Sequence, residues 1–115
     1  MNKPVRVQRK RSKGWRMPEN TVNVGRPSVW GNPFKVEGNN RLKAVRKFRQ
    51  FMKMPQSKIA EQFGINAMTL IALRIELIKR LPELKGKNLA CWCPLDQPCH
   101  ADVLLEMANR RTKSP

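Results

Sequence analysis

Lys87-Asn88-Leu89-Ala90-Cys91-Trp92-Cys93-Pro94-Leu95-Asp96-Gln97-Pro98-Cys99-His100-Ala101-Asp102 is the stretch on which the fold turns. A short apolar run leads into a polar, proline-bounded turn and then into an amphipathic stretch, Ala101 to Ala108, so it reads as strand, tight turn, helix. In α/β proteins ligands collect beyond the C-terminal ends of such strands. The same window holds all 3 cysteines and the 1 histidine of the chain, so a chemical site is expected here.

Side chains alternate along a strand, which places Cys91 and Cys93 on one side and Trp92 on the other, with Trp92 in the core. Cys99 and His100 then open a helix whose free backbone N–H groups favour anions, thiolates included. Three readings of this convergence stand side by side. A zinc site would use Cys91, Cys93, Cys99 and His100, a suitable ligand set, although the spacing C-x-C-x5-C-H departs from the usual C-x2-4-C pairs. A thiol site would line a small-molecule pocket or supply a nucleophile, with His100 as base or orienter and Asp102 nearby. The plainest reading makes Cys91 and Cys93 small buried hydrophobes and His100 a capping or surface residue.

Upstream, Thr21-Val22-Asn23-Val24 alternates as a short strand should, and Gly25-Arg26-Pro27 ends it. Trp30-Gly31-Asn32-Pro33-Phe34 follows as an aromatic-anchored loop. Asn40 is placed to cap a helix from about Arg41 to Met52, with Leu42, Val45, Phe48 and Met52 on one stripe and basic residues between them. Met54-Pro55 breaks it. Ser57 is the expected cap of a helical turn from Lys58 to Phe63, ended by Gly64, and Asn66 the expected cap of a longer helix from Ala67 to about Arg80. That longer helix is apolar on more than one face, which means core against a sheet or an interface. The last helix runs from Cys99 to about Asn109 and gives way to a basic tail.

Ser57 to Leu73 also carries the pattern of a helix-turn-helix, with Ala60 at the helix contact, Gly64 in the turn, and Ile65 and Leu70 facing the core. Against it, the stretch that would read bases offers little beyond Asn66, Thr69 and Arg74, as two ordinary packed helices would.

The chain has 24 Lys and Arg against 8 Asp and Glu, a net charge of +16 over 115 residues. Such a field attracts polyanions, which makes nucleic acid or a nucleotide the leading partner class. The charge is uneven: residues 1–20 hold seven basic residues and one acid, and a second block from Arg41 to Lys58 contains no acid. The alternative is that both blocks are solvated faces that keep a small protein soluble. An odd number of cysteines, two of them separated by one residue, does not suit a secreted disulfide framework and points to a reducing cytoplasm. No run has the length of a signal peptide core or a membrane span, so no membrane partner is expected.

With these residues in hand, the chain resembles the domain-of-unknown-function family numbered 4326, small proteins familiar from phages and bacteria. The resemblance lies in Gln8 to Pro18, Asn20-Thr21-Val22, Gly25-Arg26-Pro27, Trp30 to Phe34, Leu84 to Cys93 and Cys99-His100-Ala101-Asp102-Val103-Leu104. By composition residues 1–20 are an arm without its own core; the resemblance implies that residues 8–18 belong to the domain. It implies a shared site more than a reaction, a host cytoplasm if the chain is phage-encoded, and no particular cofactor. The chain departs from the family where residues 54–66 look inserted or elongated, and at Ala101, where the family often has Gly.

The combined expectation is a single α/β domain over residues 8–109, with a basic tail at 1–7 and another at 110–115. It has a short parallel sheet, containing strands near Thr21–Val24 and Asn88–Trp92, flanked by three or four helices. The segments Gly25 to Phe34 and Cys91 to Asp102 would meet at one sheet edge as a basic, thiol-rich cleft. Arg26 and the arm residues Arg9, Arg11, Lys13 and Arg16 would bind phosphate, Asn32 would position the ligand, and Trp30 would form a wall or stacking surface. Cys91, Cys93, Cys99, His100 and Asp102 would supply any chemistry on a bound nucleotide or nucleic-acid end. The alternative is a non-catalytic DNA-binding protein, stabilised by zinc or built on the helix-turn-helix. A cationic surface for an acidic host protein ranks last, since it leaves the cysteines unexplained.

Overall fold

The computed structural model describes residues 3–26, 28–36, 38 and 40–109. The basic tail at 110–115 and Pro27 of the turn after the second strand lie outside them. Three strands, β1 (Arg6–Gln8), β2 (Thr21–Asn23) and β3 (Asn88–Cys91), form a parallel sheet in the order β1-β3-β2. Among the described residues four α-helices accompany it: α1 (Arg41–Lys53), α2 (Gln56–Phe63), α3 (Ala67–Arg80) and α4 (His100–Ala108). The expected α/β class with a short parallel sheet is the one adopted.

β3 is the central strand, and Leu89, Ala90 and Cys91 are fully or almost fully buried. A parallel strand covered on both faces reads as a continuous apolar run, which is why Leu89-Ala90-Cys91 was legible. β1 was not, for the sequence places residues 1–7 in a tail. Arg6, Val7 and Gln8 instead pair with Leu89, Ala90 and Cys91. A three-residue strand with two polar ends carries no readable alternation, so long-range pairing alone creates it.

Asn40 caps α1 as expected, its Oδ1 accepting from Lys43 N at 3.1 Å. Phe48 and Phe51 from α1, Ile59 from α2, Leu77 from α3 and Val103 and Leu104 from α4 are all fully buried in one core that includes Leu89. Ser57 does not cap α2: the Pro55 carbonyl accepts from Lys58 N and Ile59 N, so the helix starts at Gln56. Nor does Asn66 cap α3, because it already lies in a 3-10 turn, Gly64–Asn66, that runs into the helix. The chain reverses at Gly64, whose φ of +55° suits glycine.

The helix-turn-helix register is not the one adopted. Ile59, not Ala60, is buried at the helix contact, and Ile65 is 96% exposed, while Leu70 packs on the core as expected. α3 does show two apolar faces, since Leu77 is buried while Met68 and Ile75 are exposed.

Candidate functional site

Because β2 and β3 are parallel neighbours, the segments that leave them emerge at the same sheet edge. Val24, just past β2, ties them together: its N donates to Ala90 O at 2.8 Å, and its carbonyl lies 2.7 Å from His100 Nε2. A carbonyl can only accept, so Nε2 carries the proton and Nδ1, 3.6 Å from Cys99 Sγ, is the bare nitrogen. The ring is buried with the Phe48 ring perpendicular to it, centroids 5.7 Å apart. Burial pushes the His100 pKa below its ordinary value.

The three thiols converge from three local structures: Cys91 ends β3, Cys93 lies in the turn and Cys99 precedes α4. Their sulfurs all lie within 4.8 Å of one another, and Cys99 Sγ is 3.2 Å from Cys91 Sγ. Among the described residues, this is the group of soft or hard ligands close enough to hold a metal ion; His100 is not part of it at that spacing. Hydrogen bonds from Cys91 and Cys99 hold the Cys93 thiol well below the usual range, helped by the charge of Arg41, whose Nη1 sits 3.5 Å from Cys93 Sγ. Hydrogen bonds with Cys91 and Cys93, together with burial, raise Cys99. Cys93 is thus the member of the trio that most readily exists as a thiolate.

Above the sulfurs lies a cleft of about 410 Å³, lined by Arg26, Asn32, Lys35, Arg41, Cys93, Cys99 and His100, with Phe34, Val36 and Val45 as apolar wall. Five of the residues expected at the site, Arg26, Asn32, Cys93, Cys99 and His100, therefore share it; Cys91 lies against Cys99. Arg26 is held by its own loop, donating from Nε and Nη2 to the Asn32 carbonyl, which leaves its other guanidinium donors for a ligand. Asn32 is correspondingly occupied: its Oδ1 accepts from Phe34 N at 2.9 Å and its Nδ2 donates to Ala44 O at 3.2 Å. It positions Arg26 and the loop.

Gly31 makes this possible, since a Cβ there would come within 2.9 Å of Arg26 Cγ and 3.3 Å of the Ser28 carbonyl. Gly31→Ala is expected to destabilise the domain by about 1–2 kcal/mol. Adding Arg26→Ala should recover part of that loss in a double-mutant cycle followed by urea unfolding. Strict additivity would show that the clash is not with Arg26.

Several expected site residues stand elsewhere. Trp30 is 3% exposed and belongs to the core, with the Arg80 guanidinium over its ring, so it forms no wall of the cleft. Trp92, expected in the core, is 39% exposed. β3 ends at Cys91, so strand alternation no longer governs Trp92, and its ring is covered by the guanidiniums of Arg9 and Arg11 at 4.3 and 4.9 Å. These arm residues do not frame the cleft, and neither do the exposed Lys13 and Arg16. Asp102 is also outside it; its Oδ2 accepts from Cys99 N at 3.3 Å and from Arg6 Nη1 at 3.1 Å. Arg41 and Lys35, which do line the cleft, were not singled out for it, because Arg41 looks like any other member of its basic block and Lys35 is a lone lysine outside both blocks.

Arg6 is the other residue that sequence reasoning missed. Its Nη2 donates to the carbonyls of Pro94, Leu95 and Gln97 at 3.0, 2.8 and 2.7 Å, and so gathers the turn that carries Cys93 toward Cys99. No local pattern links residue 6 to residue 97; only the pairing of β1 with β3 brings them together.

No helix among the described residues is long and apolar enough to cross a membrane. No curated protein matches the chain, and no solved structure does. Residues 7–110 of the 115 match the model of the family described as Domain of unknown function (DUF4326), and the chain, with the motifs that build its thiol cleft inside that span, belongs to this family.

Proposed function

We propose that this protein binds a nucleotide, free or at a nucleic-acid end, in the cleft above the three thiols. One observation carries the reading: Arg26, Lys35 and Arg41 line a single cleft in which, among the described residues, no carboxylate takes part. Three cations with only the Cys93 thiol beside Arg41 as a local counter-charge are a site for an anion, and phosphate is an anion whose geometry the guanidinium fork matches. The volume of about 410 Å³ falls within the roughly 300–1,000 Å³ of small-molecule sites, and Phe34, Val36 and Val45 supply an apolar surface for the remainder of the ligand. The net charge of +16 adds long-range attraction for the same ligand class.

The test is calorimetric titration with AMP and ATP. Arg26→Ala and Arg41→Ala are each expected to weaken binding roughly 10- to 100-fold, the loss of a charge-assisted hydrogen bond of about 1.5–3 kcal/mol. Lys79→Ala, on α3, should leave it unchanged. Absence of nucleotide binding by the wild type, or full affinity in Arg26→Ala, would sink the reading. The non-catalytic DNA-binding alternative is favoured instead by steeply salt-dependent duplex affinity that neither cleft variant alters.

A further inference from the structure

The geometry points to a zinc site of three thiolates, Cys91, Cys93 and Cys99, whose fourth coordination position opens into the cleft. A tetrahedral ion with zinc–sulfur bonds of about 2.3 Å needs sulfurs about 3.8 Å apart. The sulfurs here lie within 4.8 Å of one another, with Cys91 and Cys99 at 3.2 Å, so they bracket that spacing and need only small shifts. Cys93 and Cys99 line the cleft while Cys91 is buried beside them, so an ion among the three sulfurs would border the cleft. Three protein ligands and one open position form the pattern of zinc sites that engage a ligand, in contrast to the closed four-ligand sites that only stabilise a fold.

The surroundings suit the charge. Three thiolates and one dication sum to −1, and Arg41 donates to Cys93 Sγ at 3.5 Å, which offsets that charge from outside the ligand set. Binding displaces the thiol protons to solvent, so the ion enters without any redox partner. The turn that sets the spacing of Cys93 and Cys99 is held by Arg6, a residue outside the ligand set. His100 stays outside the ligand set, with Nε2 bound to Val24 O and Nδ1 3.6 Å from Cys99 Sγ.

The inference depends on the nucleotide reading only for what fills the open position, an oxygen of the bound phosphate. The ion itself is therefore tested without nucleotide. Full-length protein, reduced and dialysed against zinc, is expected to retain one ion per chain by elemental mass spectrometry. Cys93→Ser, the variant at the half-buried thiol, should lose it while keeping the wild-type circular dichroism spectrum. His100→Ala should keep the ion, and with cobalt in place of zinc should keep the thiolate-to-metal charge-transfer bands. A zinc-free wild type, stoichiometric zinc in Cys93→Ser, or a folded His100→Ala that has lost the ion would each overturn the proposal, the last by making His100 the fourth ligand of a closed site. A cobalt d–d spectrum that shifts on adding AMP is the result expected of the open position. An unchanged spectrum in a protein shown by calorimetry to bind AMP would overturn that part while leaving nucleotide binding intact.

Discussion

Arg6→Ala is expected to lower the unfolding free energy by about 3 kcal/mol, and for a domain of this size to reduce Tm by roughly 10–15 °C. The side chain is only 8% exposed and its guanidinium holds three carbonyls of the Pro94–Gln97 turn as well as the Asp102 carboxylate. Removing it leaves those acceptors without their charged donor and frees Asp102 from one of the two groups it joins. Arg6→Lys should recover less than half, because an ammonium cannot spread its donors as the planar guanidinium does. The measurement is thermal and urea unfolding of all three proteins. A loss below about 0.5 kcal/mol, the scale of an ordinary surface change, would show that the turn is held without Arg6. If the turn does loosen, the thiol of Cys93 should become more reactive toward a thiol reagent, which links the stability effect to the site.

Phe48→Ala should cost more, about 3–5 kcal/mol. Phe48 is fully buried, packs on Phe51 at a ring separation of 6.4 Å and stands perpendicular to the His100 ring at 5.7 Å. Truncation removes that contact and leaves a cavity between α1 and the His100 ring. Phe48→Leu, closer in volume, should cost about 1–1.5 kcal/mol. Urea midpoints at unchanged m-value would measure both. Equal and small losses in the two variants would mean that the core collapses around the site and that the histidine does not depend on α1 for its place.

The parts of the fold visible beforehand are those with a local signature. Leu89-Ala90-Cys91 is an apolar run before a proline-bounded turn and Arg41 to Met52 has helical spacing behind an asparagine cap; both elements form, although Leu42 of the expected stripe is 47% exposed. The misplacements share a cause as well. Trp30 is buried and Trp92 is 39% exposed, against the environments assigned to them, because the burial of a large ring in a loop depends on which distant segments cover it. In the arm, Arg9 and Arg11 stack on Trp92 and leave the cleft to Lys35 and Arg41. Charge counts reveal that a cation is present; only packing decides which ligand it can reach.

By itself the sequence determined the strand–turn–helix unit, the gathering of thiols and histidine in one window, and the strongly basic balance, because periodicity, turn residues and composition are local properties. The tertiary structure alone decided that Arg6–Gln8 is a strand, that Val24 holds His100 in one tautomer, and that Arg41 reaches Cys93 from 52 positions away. Those contacts rest on strand pairing and helix packing between segments far apart in the chain, and nothing in one segment names its distant partner.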